Sequence, residues 1–159
     1  MAEQAIRVKS APGETKVQTI PTGVRGVAIY RFPWVKDPRG DLTVGEFGRG
    51  FPFVPKRYFI VFGVSPGTLR GEHAHRKCHQ FLVCAQGRCN ALVDDGVTRR
   101  EVILDNASVG IYVPPMIWGT QYDYSADGAL LVFASDYYDP GDYIRDYGEF
   151  QDAVRAAGQ

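Results

Sequence analysis

All three histidines of this 159-residue chain fall within seven residues, in Arg70-Gly71-Glu72-His73-Ala74-His75-Arg76-Lys77-Cys78-His79-Gln80. In extended backbone, His73 and His75 project from one face, about 7 Å apart at a strand rise of roughly 3.3 Å per residue. Two imidazoles converging on one cavity either bind a metal or move protons. Arg70, close before them, carries a fork of donors suited to diphosphate oxygens or a developing enolate. A surface ion pair is its competing fate, and its one-residue offset from Gly71 threatens to turn it away from the cavity.

The elements that must position these residues read as β-strands. Short apolar segments recur at 24–32, 42–47, 57–64, 80–85, 89–93, 97–104, 109–113, 119–124 and 129–135, the spacing of a sandwich or barrel. Turn signals such as Asp37-Pro38-Arg39-Gly40, Ser65-Pro66-Gly67 and Asp94-Asp95-Gly96 separate them, the last marking a hairpin over 92–97. No stretch before residue 140 has a helical period, and only 142–157 has room for a short C-terminal helix, centred on 149–154. Residues 1–22 lack a sustained apolar period and read as a mobile arm or edge strand. The expected organisation is an all-β, single-domain barrel: an arm over 1–22, the β-domain over 23–150 and a tail over 151–159.

Composition narrows the function classes. Eighteen Lys and Arg balance eighteen Asp and Glu, so the chain lacks the cationic excess that nucleic acid as main partner demands. Its longest apolar runs are far short of the roughly 20 residues of a membrane helix, so no membrane partner is expected. Cys78, Cys84 and Cys89 are odd in number and show no CxxC spacing, which argues against a disulfide framework or zinc ribbon. They read as buried small hydrophobes. With no apolar leader in 1–22, the expected location is the cytoplasm. Neither a GxGxxG after a strand nor a P-loop occurs, so no nicotinamide is implied.

The spacing of Gly67, His73, His75, Gln80 and Gly87 resembles the first cupin motif, and 110–118 resembles the second. Metal-binding cupins carry Glu at the position of Gln80 and a further His in the second motif, whereas no His follows His79 here. Two imidazoles, with His79 at most a third, and a neutral amide make a poor zinc or iron site. The expectation is a cupin, a double-stranded β-helix or jelly roll, that holds no metal or other cofactor and uses its histidines for acid–base chemistry. One such chemistry removes a proton α to a ketone and returns it at the neighbouring atom.

Three features resemble the dTDP-sugar 3,4-ketoisomerases, the WxcM-like cupins. They are Arg70-Gly71-x-His73-Ala74-His75 with Gln80, the Val93–Gly96 hairpin, and the tail Ala134-Ser135-Asp136-Tyr137-Tyr138-Asp139 followed by Asp142-Tyr143-Ile144-Arg145-Asp146-Tyr147-x-x-Phe150. The resemblance implies a homodimer that acts on dTDP-4-keto-6-deoxyglucose or a close nucleotide-sugar. It further implies His73 and His75 as the catalytic pair, and supply of an aminotransferase that makes 3-amino sugars. His73 is taken as the carbon base, His75 as the shuttle between oxygens and Arg70 as a substrate clamp. Family members often carry Tyr on the strand before the histidines, where this chain reads Ile60-Val61-Phe62. The phenol is then absent or comes from elsewhere, with Tyr58, Tyr112 and Tyr122 as sources. Tyr58, Tyr122 and Trp118 are the aromatic substrate-binding candidates, against core packing as their ordinary fate. Tyr137, Tyr138, Tyr143 and Tyr147 are assigned to C-terminal packing. The alternatives are a 3,5-epimerase-like enzyme, which shares the Arg-Gly-x-His block, a non-catalytic sugar-binding cupin, and a metal-dependent dioxygenase, which lacks its ligands here.

Overall fold

The computed structural model describes residues 3–159; Met1 and Ala2, the start of the expected arm, lie outside the described residues. The strands are β1 (Gln18–Pro21), β2 (Ala28–Arg31), β3 (Trp34–Val35), β4 (Leu42–Thr43), β5 (Arg57–Phe62), β6 (Arg70–His75), β7 (Gln80–Gln86), β8 (Cys89–Asp94), β9 (Arg99–Leu104), β10 (Val109–Val113), β11 (Trp118–Tyr122), β12 (Ala129–Ala134) and β13 (Tyr143–Ile144). After a 3-10 turn at Pro140–Asp142, α1 (Tyr147–Ala156), the one α-helix among the described residues, closes the chain.

Two sheets face each other. One runs β1-β2-β10-β7-β12-β5, the other β13-β6-β11-β8-β9, and the strands pair antiparallel. This is the two-sheet barrel expected from the segment spacing, with the jelly-roll form expected from the cupin motifs. The β-branched and aliphatic residues at alternate positions, among them Ile29, Leu82, Val93, Leu104, Ile111 and Leu130, fill the space between the sheets. Cys84 and Cys89 are part of that core, and Cys78 is also buried.

Some boundaries move for physical reasons. Segment 42–47 forms only the two-residue β4, because the chain beyond it folds Phe47, Phe51 and Phe53 onto the outer face of the first sheet. There they pack with Phe81, Phe133 and one another. The arm is tied down on two sides. β1 pairs with β2, and the Ile6 amide and carbonyl bond to Glu101 and Ile103 on the outer edge of β9.

Helix α1 straddles the expected boundary at 150. Asp146 is its N-cap, accepting from the Glu149 amide at 2.8 Å. Its apolar stripe, Phe150 and Val154, packs with Ala74, Trp118 and Ile144 on the outer face of the second sheet. Each such side chain contributes about 1.5–3 kcal/mol on burial. A buried carboxylate, Asp94, accepts from the Tyr147 hydroxyl at 2.8 Å and from Arg99 at 2.7 and 2.9 Å, latching the helix to the β8–β9 hairpin. That anchorage holds β13, which runs beside β6 with Tyr143 opposite His75.

Candidate active site

Strand β6 is not regular. His73 pairs with Gly119, but the next pairs are Gly71 with Thr120 and Arg70 with Gln121, so Glu72 is a bulge residue without a partner. Gly71 and Glu72 both have left-handed backbone, φ +81° and +57°. A Cβ on Gly71 would lie 2.9 Å from the Gly119 carbonyl and 2.7 Å from Gln121 Oε1. The extra residue shifts the strand's alternation by one. Arg70, three positions before His73 and otherwise destined for the opposite face, therefore lines the same cavity as His73.

That cavity, of about 340 Å³, opens between the two sheets. Phe59, Val61, Leu82 and Val132 form its apolar wall, and Arg70, His73, Gln80, Gln121, Tyr143 and Arg145 supply its polar groups. A recess of about 10 Å³ shares His73, Gln80 and Gln121 with it and reaches His75, which is 4% exposed. The two imidazole rings are 5.0 Å apart and nearly perpendicular. Tyr143 lies against both, 4.9 Å from His73 and 4.4 Å from His75, with the Arg145 guanidinium 4.3 Å from its ring centre.

The two histidines differ electrostatically. His75 Nδ1 is 3.0 Å from Asp142 Oδ2. The same carboxylate accepts from the Lys77 amide at 2.7 Å and the Cys78 amide at 3.1 Å, so its position is fixed by the turn after β6. A carboxylate on Nδ1 keeps the proton there and leaves the lone pair on Nε2. Burial pushes the His75 pKa below the usual imidazole value, against the opposing pull of Asp142. Burial raises the pKa of the Asp142 carboxyl, but the His75 and backbone hydrogen bonds outweigh it and hold that pKa below its ordinary value. His73 has no such carboxylate, and burial, against the opposing pull of the Gly71 backbone and with His75 and Arg145 adding to it, pushes its pKa down to about 4. His73 Nδ1 and His75 Nε2 are both buried without a hydrogen-bond partner in the protein. Orphaned buried nitrogens are costly, and two on adjacent rings at a cavity mark a place for a reacting polar group.

A family model described as FdtA, WxcM-like, C-terminal, matches residues 25–155. The chain belongs to the WxcM-like 3,4-ketoisomerase family. It is 42% identical over 123 residues to the TDP-4-oxo-6-deoxy-α-D-glucose 3,4-oxoisomerase of Aneurinibacillus thermoaerophilus, covering 77% of this chain and 88% of that protein. Its structure is similar to the sugar 3,4-ketoisomerase QdtA of Thermoanaerobacterium thermosaccharolyticum in complex with TDP. There the TM-score is 0.81 and the identity 34%, with 84% of this chain and 97% of QdtA covered. It is also similar to the TDP-fucose-3,4-ketoisomerase WlaRA of Campylobacter jejuni, with TM-score 0.78 and 31% identity, covering 84% and 99%. The jelly roll is thus that of a cupin ketoisomerase.

Within this WxcM-like cupin, Arg70 and His73 share the cavity and His75 adjoins it through the recess. The three aromatic candidates lie elsewhere, and strand parity is the reason. On β5, Phe59 and Val61 face the cavity, so Tyr58 faces out and is 67% exposed. On β11, Gly119 and Gln121 face in, leaving Trp118 to pack against Tyr147 and Phe150 of α1 and Tyr122 to approach Glu101. Tyr112 is also turned outward, hydrogen-bonded to His79 at 2.6 Å beside Phe53. The phenol at the cavity comes instead from Tyr143, a residue expected only to pack at the C-terminus. Asp142, Arg145 and Gln121 were not singled out as site residues either. The usable signal was Asp142-Tyr143-x-Arg145, with an acid, a phenol and a cation in four residues.

Proposed function

We propose that this protein converts TDP-4-keto-6-deoxyglucose, or a close nucleotide-sugar, into its 3-keto isomer by imidazole-mediated proton transfer through an enediol. The observation that carries this reading is the Asp142-oriented His75 beside a second, neutral imidazole at a sugar-sized cavity. Support for the substrate comes from the relatives' stated activities and from two guanidinium groups, Arg70 and Arg145, at the cavity for a diphosphate.

His75 Nε2 takes the C3 proton; the C3–H electron pair becomes the C3=C4 double bond and negative charge gathers on O4. His73 moves the O3 proton to O4. The C3 oxygen then re-forms a carbonyl while the His75 imidazolium returns its proton to C4, which restores both side chains. This assignment reverses the expectation of His73 as carbon base. A base that holds a transient positive charge gains from a carboxylate, and Asp142 contacts His75. A relay between two oxygens needs a neutral ring, which burial provides at His73. The 3-keto product suits an aminotransferase that installs a 3-amino group.

A second copy of the chain is part of this reading. β5 is an edge strand whose outer face exposes Tyr58, Ile60 and Phe62, the last at 74%, an apolar stripe suited to a homodimer. No helix is long and apolar enough to cross a membrane among the described residues, and the three free cysteines fit a reducing compartment such as the cytoplasm.

The test is incubation of EDTA-treated protein with TDP-4-keto-6-deoxyglucose in deuterated water. The expected result is a 3-keto product whose C4 hydrogen is solvent-exchanged or internally transferred, read by NMR. No turnover, or turnover only after metal is restored, overturns the proposal.

A further inference from the structure

The missing cupin ligands do not exhaust the metal-binding chemistry near the site. A ring nitrogen of His75, Cys78 Sγ and an Asp142 oxygen lie within 4.8 Å of one another, with His75 and Cys78 buried and Asp142 largely so, and Nδ1 is the nitrogen that faces Asp142. They converge because β6 ends at His75, the following turn carries Cys78 back over it, and the turn at Pro140–Asp142 brings in the carboxylate. The backbone amides of Lys77 and Cys78 fix that carboxylate.

Nitrogen, thiol sulfur and a single carboxylate form the donor set of a borderline-soft divalent ion such as Zn²⁺, and suit neither Mg²⁺ nor Ca²⁺. With bond lengths of about 2.1 Å to N or O and 2.3 Å to S, tetrahedral ligands stand about 3.4–3.6 Å apart. His75 Nδ1 and Asp142 Oδ2 are at 3.0 Å already. The thiol closes the remaining gap of at most about 1.2 Å by a χ1 rotation of up to about 40°.

We propose that His75, Cys78 and Asp142 form an inhibitory site for Zn²⁺, in which the ion replaces the proton shared by His75 and Asp142. The inhibition rests on the reading of His75 as the base. A metal on Nδ1 needs the lone pair of that nitrogen, so the ring proton relocates to Nε2. The base then has no lone pair for the substrate. Cys78 binds as thiolate and gives its proton to solvent, so binding one Zn²⁺ releases one proton net.

Zn²⁺ and, as a spectroscopic stand-in, Co²⁺ are titrated into the EDTA-stripped full chain. The expected result is one ion per chain, a thiolate-to-cobalt absorption in the near ultraviolet, and an isomerase rate below a tenth of the metal-free rate, restored by EDTA. In Cys78→Ser and Cys78→Ala the cobalt–thiolate band disappears. Half-inhibition, measured against each variant's own metal-free rate, then needs at least tenfold more Zn²⁺. Absence of stoichiometric binding to the wild type overturns the proposal, as does equal sensitivity of both variants. A cobalt–thiolate band without loss of activity overturns the inhibitory role. Binding as expected in a chain with no metal-free isomerase activity fails the functional reading and leaves the metal site standing.

Discussion

Asp142→Asn tests the catalytic arrangement most directly, because the change keeps the shape of the side chain and removes its charge. The carboxylate lies 3.0 Å from His75 Nδ1, and both side chains are at least nine-tenths buried. Taking about 4 Å between the charge centres and an effective dielectric of about 20, the imidazolium loses about 4 kcal/mol of stabilisation. At 1.36 kcal/mol per decade, full proton transfer in the transition state gives a loss of about 10³-fold, and half transfer about 30-fold. The expected outcome is a kcat lower by about 30- to 1,000-fold with KM within about threefold, since Asp142 does not line the substrate cavity. The assay is NMR quantification of the 3-keto product, with the melting temperature as a check on folding. An amide oxygen can still accept from Cys78 and His75, so a folded variant is expected. A folded Asp142→Asn protein with kcat within threefold of wild type would refute the role given to the His75–Asp142 pair.

Further outcomes follow from the same geometry. Gly71→Ala forces a left-handed alanine against the Gly119 carbonyl, a cost of about 2–3 kcal/mol; calorimetry should show a melting point lower by about 5–10 °C, and a shift under 2 °C would show the bulge to be dispensable. Arg145→Ala removes a charged contact worth about 1.5–3 kcal/mol, so KM should rise about 10- to 100-fold with kcat within threefold, and an unchanged KM removes Arg145 from the diphosphate site. Burial holds the pKa of His75 below 6.5, and the proposed base is its neutral form. The kcat/KM profile should therefore stay flat from pH 8 to about 6.5 and fall below that, whereas an acid limb centred above pH 7 contradicts the burial argument. Unfolded histidines take up protons near pH 6.5 that folded His73 refuses down to about 4, so stability falls across that window; His73→Asn should flatten the pH dependence of the melting temperature. Ile60→Arg places a charge in the exposed stripe of β5 and should give monomers by light scattering at low micromolar concentration; a persistent dimer moves the interface elsewhere.

How far the site was legible in the sequence comes down to strand parity and its one interruption. Parity placed His73 and His75 on one side of β6, and Ala74 on the other against α1. Applied to β5 and β11, the same rule turns Tyr58, Trp118 and Tyr122 outward, because Val61 and Gln121 face in. Residue type alone does not say which face of a strand is the inner one. Arg70 fails the rule unless a bulge intervenes, and only the consecutive left-handed residues Gly71 and Glu72 reveal one. Asp142, Tyr143 and Arg145 were invisible for a different reason. Their roles depend on β13 pairing with β6 across 68 to 70 residues of sequence, and no local pattern encodes that register. Helix α1 sets it, by packing Phe150 and Val154 on Ala74, Trp118 and Ile144. The tail that served only as a family signature is thus what orients His75. A truncation before Tyr147 would therefore be expected to loosen Asp142 and depress kcat even where the barrel itself still folds.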